Sequence, residues 1–182
     1  MRILFISDIH GIKTNLPKVE EAFSKLNCDK LVVLGDILNN GFHTYDYSKE
    51  YVKAFLNLYK NNLIIVKGNC DYSNDFSFLG INPNYVEKIK TDKTEIYITH
   101  GHLYNDRNWE RKNTILIQGH THVPKIEEVD SNLFINPGSI SKPRGMYAAS
   151  YLFFDENRFI IYDVEGRIIL EKVLKNDQNS IQ

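Results

Sequence analysis

Cysteine is scarce in this chain of 182 residues, which holds only Cys28 and Cys70. The two form no CxxC pair and are too few to staple a secreted fold, so a disulfide framework is excluded and a reducing cytoplasm is expected. Long apolar runs are missing as well. The opening Arg2-Ile3-Leu4-Phe5-Ile6 stops at Ser7-Asp8, too short for a signal-peptide core, and no run approaches the ~20 residues of a membrane span. The chain reads as cytosolic and unprocessed. An excess of either charge is also lacking: 22 basic against 23 acidic residues leave a formal net charge of -1. Nothing in that balance is built to neutralise a nucleic-acid backbone, and no nucleic-acid module is added. There is no internal repeat, low-complexity tract or linker. Residues 1–175 read as a single domain, and 176–182 as a polar tail that frays.

What is present is an ordinary globular composition, 42% apolar and 25% charged, enough for a sizeable core. Short β-rich apolar runs recur at 3–6, 31–34, 63–66, 96–99 and 115–117, as suits strands buried on both faces. Leu16, Val19, Phe23 and Leu26 keep helical spacing after a cap at Asn15; Tyr51, Phe55 and Leu58, with Val52, Leu56 and Tyr59, do so after Ser48. This is a βαβ series, which implies parallel strands and right-handed crossovers. The pattern changes after Tyr85. Runs at 151–154, 159–162 and 168–173, separated by turns at Asp155-Glu156-Asn157 and Glu165-Gly166, read as a meander. An antiparallel sheet is expected to follow the parallel one and share its core.

Each of the five apolar runs ends in chemistry: Ser7-Asp8-Ile9-His10-Gly11, Gly35-Asp36, Gly68-Asn69-Cys70-Asp71, His100-Gly101-His102 and Gly119-His120-Thr121-His122. In open α/β sheets the carboxyl ends of strands form the ligand crevice, and glycine there lets the backbone turn sharply near an ion or phosphate. Taken singly, Asp-x-His, Gly-Asp and Gly-Asn are ordinary turn vocabulary. Together they are not, because five of the six histidines fall in these loops. Carboxylate and amide oxygens with imidazole nitrogens suit manganese, iron or zinc. Asp8, His10, Asp36, Asn69, His100, His120 and His122 are too many ligands for one ion. Two ions need a bridging ligand, for which the carboxylate of Asp8 or of Asp36 is suited.

These ordered motifs resemble the calcineurin-like metallophosphoesterases over nearly the whole chain. With Leu34-Gly35-Asp36-Ile37-Leu38-Asn39 and Asn136-Pro137-Gly138-Ser139, the likeness narrows to the small YfcE-type phosphodiesterases. The resemblance implies an α/β fold, a four-layer αββα sandwich of two mixed sheets with helices outside. It also implies that Asp8, His10 and His122 hold one ion, that Asn69, His100 and His120 hold the other, and that Asp36 bridges. The implied activity is hydrolysis of a small phosphodiester by a metal-bridging hydroxide, with manganese the first choice of metal and zinc, nickel or iron(II) the alternatives. The competing readings are a phosphomonoesterase, a nuclease, or a non-catalytic protein-binding scaffold, since a eukaryotic membrane-sorting subunit shares the fold.

Relatives often carry His after the Asn where this chain has Cys70. A thiol with a pKa of ~8.5 donates a proton to an alkoxide less well than an imidazolium does, so Asn69 and Cys70 as catalytic residues predict a preference for good leaving groups. His102 and Arg144 are candidates for contacting substrate phosphate, and Asp71 either orients a ligand imidazole or closes an Asx-turn. Specificity is expected in loops 39–47 and 71–84. His43, Trp109 and Cys28 read as surface loop, packing residue and buried or loop thiol. The aromatic residues between Tyr147 and Tyr162 fit either a homo-oligomer interface or core packing.

Overall fold

The computed structural model describes residues 1–38, 45–91 and 94–174. The first half alternates strand and helix: β1 (Ile3–Ile6), α1 (Leu16–Lys25), β2 (Lys30–Val33), α2 (Lys49–Leu58), β3 (Leu63–Ile65) and α3 (Ser73–Leu79). Eight strands follow: β4 (Val86–Lys90), β5 (Glu95–Thr99), β6 (Ile115–Gln118), β7 (Pro124–Val129), β8 (Asn132–Pro137), β9 (Ser150–Phe154), β10 (Arg158–Asp163) and β11 (Ile168–Val173). They form a six-stranded sheet of order β11-β10-β9-β1-β2-β3 and a five-stranded sheet of order β4-β5-β6-β8-β7. Both are mixed. β1, β2 and β3 run parallel in one, and β5, β6 and β8 run parallel in the other.

Strand periodicity explains the layers. Leu4, Ile6, Leu31 and Val33 face the helices and pack with Leu16, Val19, Val52 and Phe55. Their neighbours Ile3, Phe5, Val32 and Leu34 face the other way, against Ile96, Ile98, Ile115, Ile117, Leu133 and Ile135 of the second sheet. Burying such a side chain contributes about 1.5–3 kcal/mol, so both faces of β1 and β2 stabilise the sandwich. The three described helices all place residues in the first of these cores. Over the second sheet, the layer is made by the segment after β5, where Trp109 packs on Tyr97 with ring centroids 5.3 Å apart.

The C-terminal meander does not begin a separate sheet as the sequence led us to expect. It joins the first sheet, with β9 antiparallel to β1 through Leu4↔Phe153. The reason is burial: every residue of β9 is buried, so it needs cover on both faces and takes an interior place in the sheet. Tyr151, Phe153, Phe154 and Phe159 are thereby core residues, and these aromatics give no support for an oligomer interface.

Local signals held unevenly. Ser48 caps α2 by accepting from Tyr51 N at 3.2 Å. Asn15 makes no side-chain cap; its amide instead donates to Ile140 O at 2.8 Å, tying α1 to the loop after β8. β4, β7 and α3 were not anticipated, being short or only half-buried, nor was β8, whose apolar centre is only Leu133-Phe134-Ile135 between polar ends. The expected tail at 176–182 lies outside the described residues.

Candidate metal centre

All six parallel strands, three in each sheet, deliver their exit loops to one edge of the sandwich. The loops continue the strand pairing as they leave it: His10 N donates to Asp36 O at 2.9 Å, Gly11 N to Ile37 O at 2.7 Å, and Gly119 N to His100 O at 2.9 Å. Two glycines permit the close approach. A Cβ on Gly68 would lie 2.2 Å from Asp36 Oδ1, and one on Gly119 would lie 1.9 Å from Ser7 Oγ. The site residues themselves are bent: Asp8 (φ 56°), His10 (52°), Asp36 (52°), His120 (70°) and His122 (63°) all occupy the left-handed region. Each such non-glycine residue costs roughly 1–2 kcal/mol. The turn keeps both members of the Asp8/His10 and His120/His122 pairs at the site instead of letting the strand carry the second away.

The side chains converge accordingly. His122 Nε2 lies 3.1 Å from Asp8 Oδ1 and 3.4 Å from His10 Nε2. His100 Nε2 lies 3.4 Å from Asp36 Oδ2 and 3.0 Å from Asn69 Oδ1. Asp36 Oδ2 is also 3.8 Å from His10 Nε2, so this carboxylate stands between the two histidine groups. Asp8 Oδ1 does too, at 3.9 Å from His10 Nε2 and 4.0 Å from His100 Nε2. The His120 ring meets His100 edge-on at 5.1 Å, and its backbone N–H donates to Asp8 Oδ2 at 3.1 Å.

Backbone carbonyls orient two of the imidazoles. His100 Nδ1 donates to Leu34 O and His122 Nδ1 to Lys142 O, each at 2.6 Å. A carbonyl only accepts, so Nδ1 carries the hydrogen and Nε2 is turned to the site. Burial disfavours charge on His100, but the Asp36 hydrogen bond and the charges of Asp8 and Asp36 outweigh it and raise its pKa. In Asp36 the same pairing overcomes burial and holds the carboxyl well below the usual range. His102 and His120 are shifted down by burial and by His100.

These donors fit divalent cations. Asp8 Oδ1 is buried with no hydrogen-bond partner, a costly position for a carboxylate oxygen unless a cation satisfies it. Two donor groups close around it, Asp8 with His10 and His122, and Asp8 with Asp36 and His100, each with ligand atoms within 4.8 Å of one another. Cys70 joins His10 and Asp36 in a third such group. Burial, then the neighbouring Asp36, pushes its thiol up to about 12.

Asp71 is not placed against an imidazole. Buried at 4% exposure, it accepts from the N–H groups of Asp36 (2.9 Å), Ile37 (2.7 Å) and Gly68 (2.8 Å), clamping the exit loops of β2 and β3 together. The Asn136-Pro137-Gly138-Ser139 segment has a similar task. Asn136 Nδ2 donates to Gly119 O at 2.7 Å. Ser139 Oγ donates to Asp8 O at 3.0 Å and accepts from Lys142 N at 2.8 Å. Neither clamp was legible, because both act across loops distant in sequence.

Arg144 reaches the site through its backbone, donating from N to His122 O at 3.1 Å, while its side chain is exposed. His102 lines a cleft of about 490 Å³ beside His120, whose walls come from the segments around 101–107, 118–125 and 136. Neither loop expected to shape specificity lines this cleft among the described residues. Residues 39–44, with His43, lie outside the described residues, and half of 71–84 folds as α3. Trp109 is a packing residue, its Nε1 donating to Thr114 Oγ1 at 2.9 Å. Cys28 packs against the helix-side core.

The chain is 32% identical over 182 residues to phosphodiesterase YfcE of Escherichia coli K12, covering 97% of this chain and 99% of that one. The solved structure of the E. coli YfcE phosphoesterase matches with a TM-score of 0.90 over 96% of this chain and 100% of that one. Vacuolar protein sorting-associated protein 29 of Schizosaccharomyces pombe is 27% identical, covering 93% of this chain and 88% of that one. Residues 1–158 match the calcineurin-like phosphoesterase superfamily domain, and the chain belongs to that superfamily.

Proposed function

We propose that this protein is a metal-dependent phosphodiesterase acting on a small phosphodiester with two divalent cations. The observation that carries the reading is the set of overlapping donor groups in which Asp8 and Asp36 are each shared, with Asp8 Oδ1 buried and otherwise orphaned. Asp8, His10 and His122 would hold one cation and Asn69, His100 and His120 the other, with Asp36 between them. Bound there, the cations would supply Lewis acidity towards the phosphoryl oxygens and a water acidified enough to attack phosphorus at neutral pH. The protein's part is positional. Leu34 O and Lys142 O set the imidazoles, Asp71 and Ser139 set the loops, and His102 and Arg144 are our candidates for contacting substrate phosphate. No imidazole follows Asn69 to protonate the leaving oxygen, and a thiol such as Cys70 donates a proton less well than an imidazolium, so nitrophenolate-like leaving groups are favoured.

The test is hydrolysis of bis-p-nitrophenyl phosphate beside p-nitrophenyl phosphate by chelator-stripped protein titrated with manganese, zinc, nickel and magnesium. We expect manganese to restore diester turnover at about two equivalents, with the diester preferred. Absence of turnover with every metal would favour a binding role instead, the second reading raised by the sorting-associated relative. A nuclease is disfavoured by the net charge of -1. Two free thiols fit a cytoplasmic setting, and no helix of the described residues is long and apolar enough to cross a membrane.

The Ser139 clamp gives a selective prediction. Ser139→Ala frees the loop carrying Lys142 O, the partner of His122. Calorimetric manganese titration should show one site weakened about tenfold and the other unchanged. Equal weakening of both sites would show that Ser139 does not act through His122.

A further inference from the structure

The cleft beside His120 has its own chemistry. Its volume of about 490 Å³ is within the usual range for small-molecule sites, and it opens directly on the candidate metal centre through His102 and His120. Most of its hydrogen-bond acceptors are already engaged from within the fold. Asn105 Oδ1 accepts from Arg107 N at 3.0 Å, Gln118 Oε1 from Asp106 N at 3.1 Å, and Asn136 Oδ1 from Gly138 N at 2.9 Å. The Asp106 carboxylate is paired with Lys125 Nζ at 2.8 Å and hydrogen-bonded by the Gln118 side chain.

Most of its donors are engaged too, Asn105 Nδ2 with Gly101 O, Asn136 Nδ2 with Gly119 O and Lys125 Nζ with Asp106 and Glu127, and the Arg107 side chain is the exception. Among the described residues the Arg107 guanidinium has no ion pair and no hydrogen bond, although its backbone is held in place by Asn105. Thr121 Oγ1 already accepts from Asn136 Nδ2 at 3.0 Å and Val123 N at 3.4 Å, which leaves its hydroxyl hydrogen to donate outward. A cavity whose acceptors are occupied and whose donors include an unpaired guanidinium is complementary to a ligand group that brings oxygen acceptors and negative charge.

We propose that this cleft receives one ester arm of the substrate and that Arg107 selects arms bearing an anionic oxygen group, a carboxylate or a second phosphoryl group. The inference rests on the phosphodiesterase reading of the adjoining metal centre and names the substrate class it would take. Lys125 is held between Asp106 and Glu127, so the remaining cation of the lining is the Arg107 guanidinium, whose charge, against burial and alongside Lys125, also helps hold the Asp106 carboxyl low. Gly101 and Asn105 hold the turn that presents it, through Asn105 Nδ2 to Gly101 O at 3.0 Å.

The experiment compares the manganese-loaded wild type with Arg107→Gln on three p-nitrophenyl phosphodiesters whose second arm is phenyl, 4-carboxyphenyl or 4-phosphonophenyl. For the two charged arms kcat/KM should fall about tenfold, mostly through KM, as expected for loss of a charge-assisted contact. The phenyl ester should stay within about twofold of wild type. A loss confined to one charged arm identifies which anion the cleft reads. A loss equal for all three arms, or none, overturns the proposal. Calorimetric binding of 4-carboxyphenyl phosphate and phenyl phosphate to both proteins separates this inference from the hydrolase reading. If wild type hydrolyses no ester yet Arg107→Gln weakens only the carboxylated ligand, the cleft assignment stands and the hydrolase reading falls. Equal affinities of both ligands in both proteins overturn the cleft assignment.

Discussion

Replacing Asp36 by Asn is expected to cut bis-p-nitrophenyl phosphate hydrolysis by about a thousandfold or more while the protein stays folded. Asp36 is 2% exposed and uses its two oxygens differently. Oδ1 accepts from Cys70 N at 2.8 Å, a bond that an amide oxygen can keep. Oδ2 stands 3.4 Å from His100 Nε2 and 3.8 Å from His10 Nε2, facing both histidine groups. In the variant that position falls to an NH₂ group, which has no lone pair for a cation. The substitution therefore preserves shape and would remove the proposed bridge. Metal content after dialysis should fall below two equivalents with the circular dichroism spectrum unchanged. Near-normal turnover with both equivalents retained would show that Asp36 does not bridge.

Asp71→Ala should be the most destabilising change at the site that touches no proposed ligand side chain. It strands three N–H groups, those of Asp36, Ile37 and Gly68, in a place that water does not reach freely. Unsatisfied buried donors cost roughly 1–3 kcal/mol each, and partial relaxation brings the sum to about 3–5 kcal/mol. For a chain of this size that lowers Tm by about 10 °C. Asp71→Asn keeps one acceptor oxygen and should lose about half as much. Melting is to be followed in chelator, so that loss of bound metal does not add to the shift. An unchanged Tm for Asp71→Ala would mean that the two loops are held by strand pairing alone. Because the clamp fixes Asp36 N, the alanine variant should also bind manganese less tightly than wild type.

The contrast between these two residues shows what could be read early. Asp36 follows Gly35 at the end of an apolar run, so its position at a strand exit is local information. Asp71 lies in the same kind of loop and has the same side chain, yet it faces away from the ligands and into the backbone of two loops. Nothing nearby in sequence distinguishes the two roles. Arg107 is a similar case. It stands seven residues beyond His100, in a loop whose course is set by Asn105 and Asn108 turns rather than by any periodic pattern. The misplaced meander has another cause. Its strands were legible from their β-rich runs, but pairing partners depend on which strand needs cover on both faces, and that is a property of the assembled core.

The sequence by itself determined the strand and helix alternation of the first half, the buried runs that end in Asp, Asn, Gly and His, and the residue types at the site. These follow from hydrophobic periodicity and ligand chemistry, both carried by neighbouring residues. The tertiary structure alone decided that β9 closes onto β1, that Asp71 and Ser139 clamp the exit loops, and that a cleft lined by Arg107 opens beside His120. Each of these depends on contacts between segments far apart in the chain, whose energies arise only when desolvated backbone groups and side chains must find partners in one shared interior.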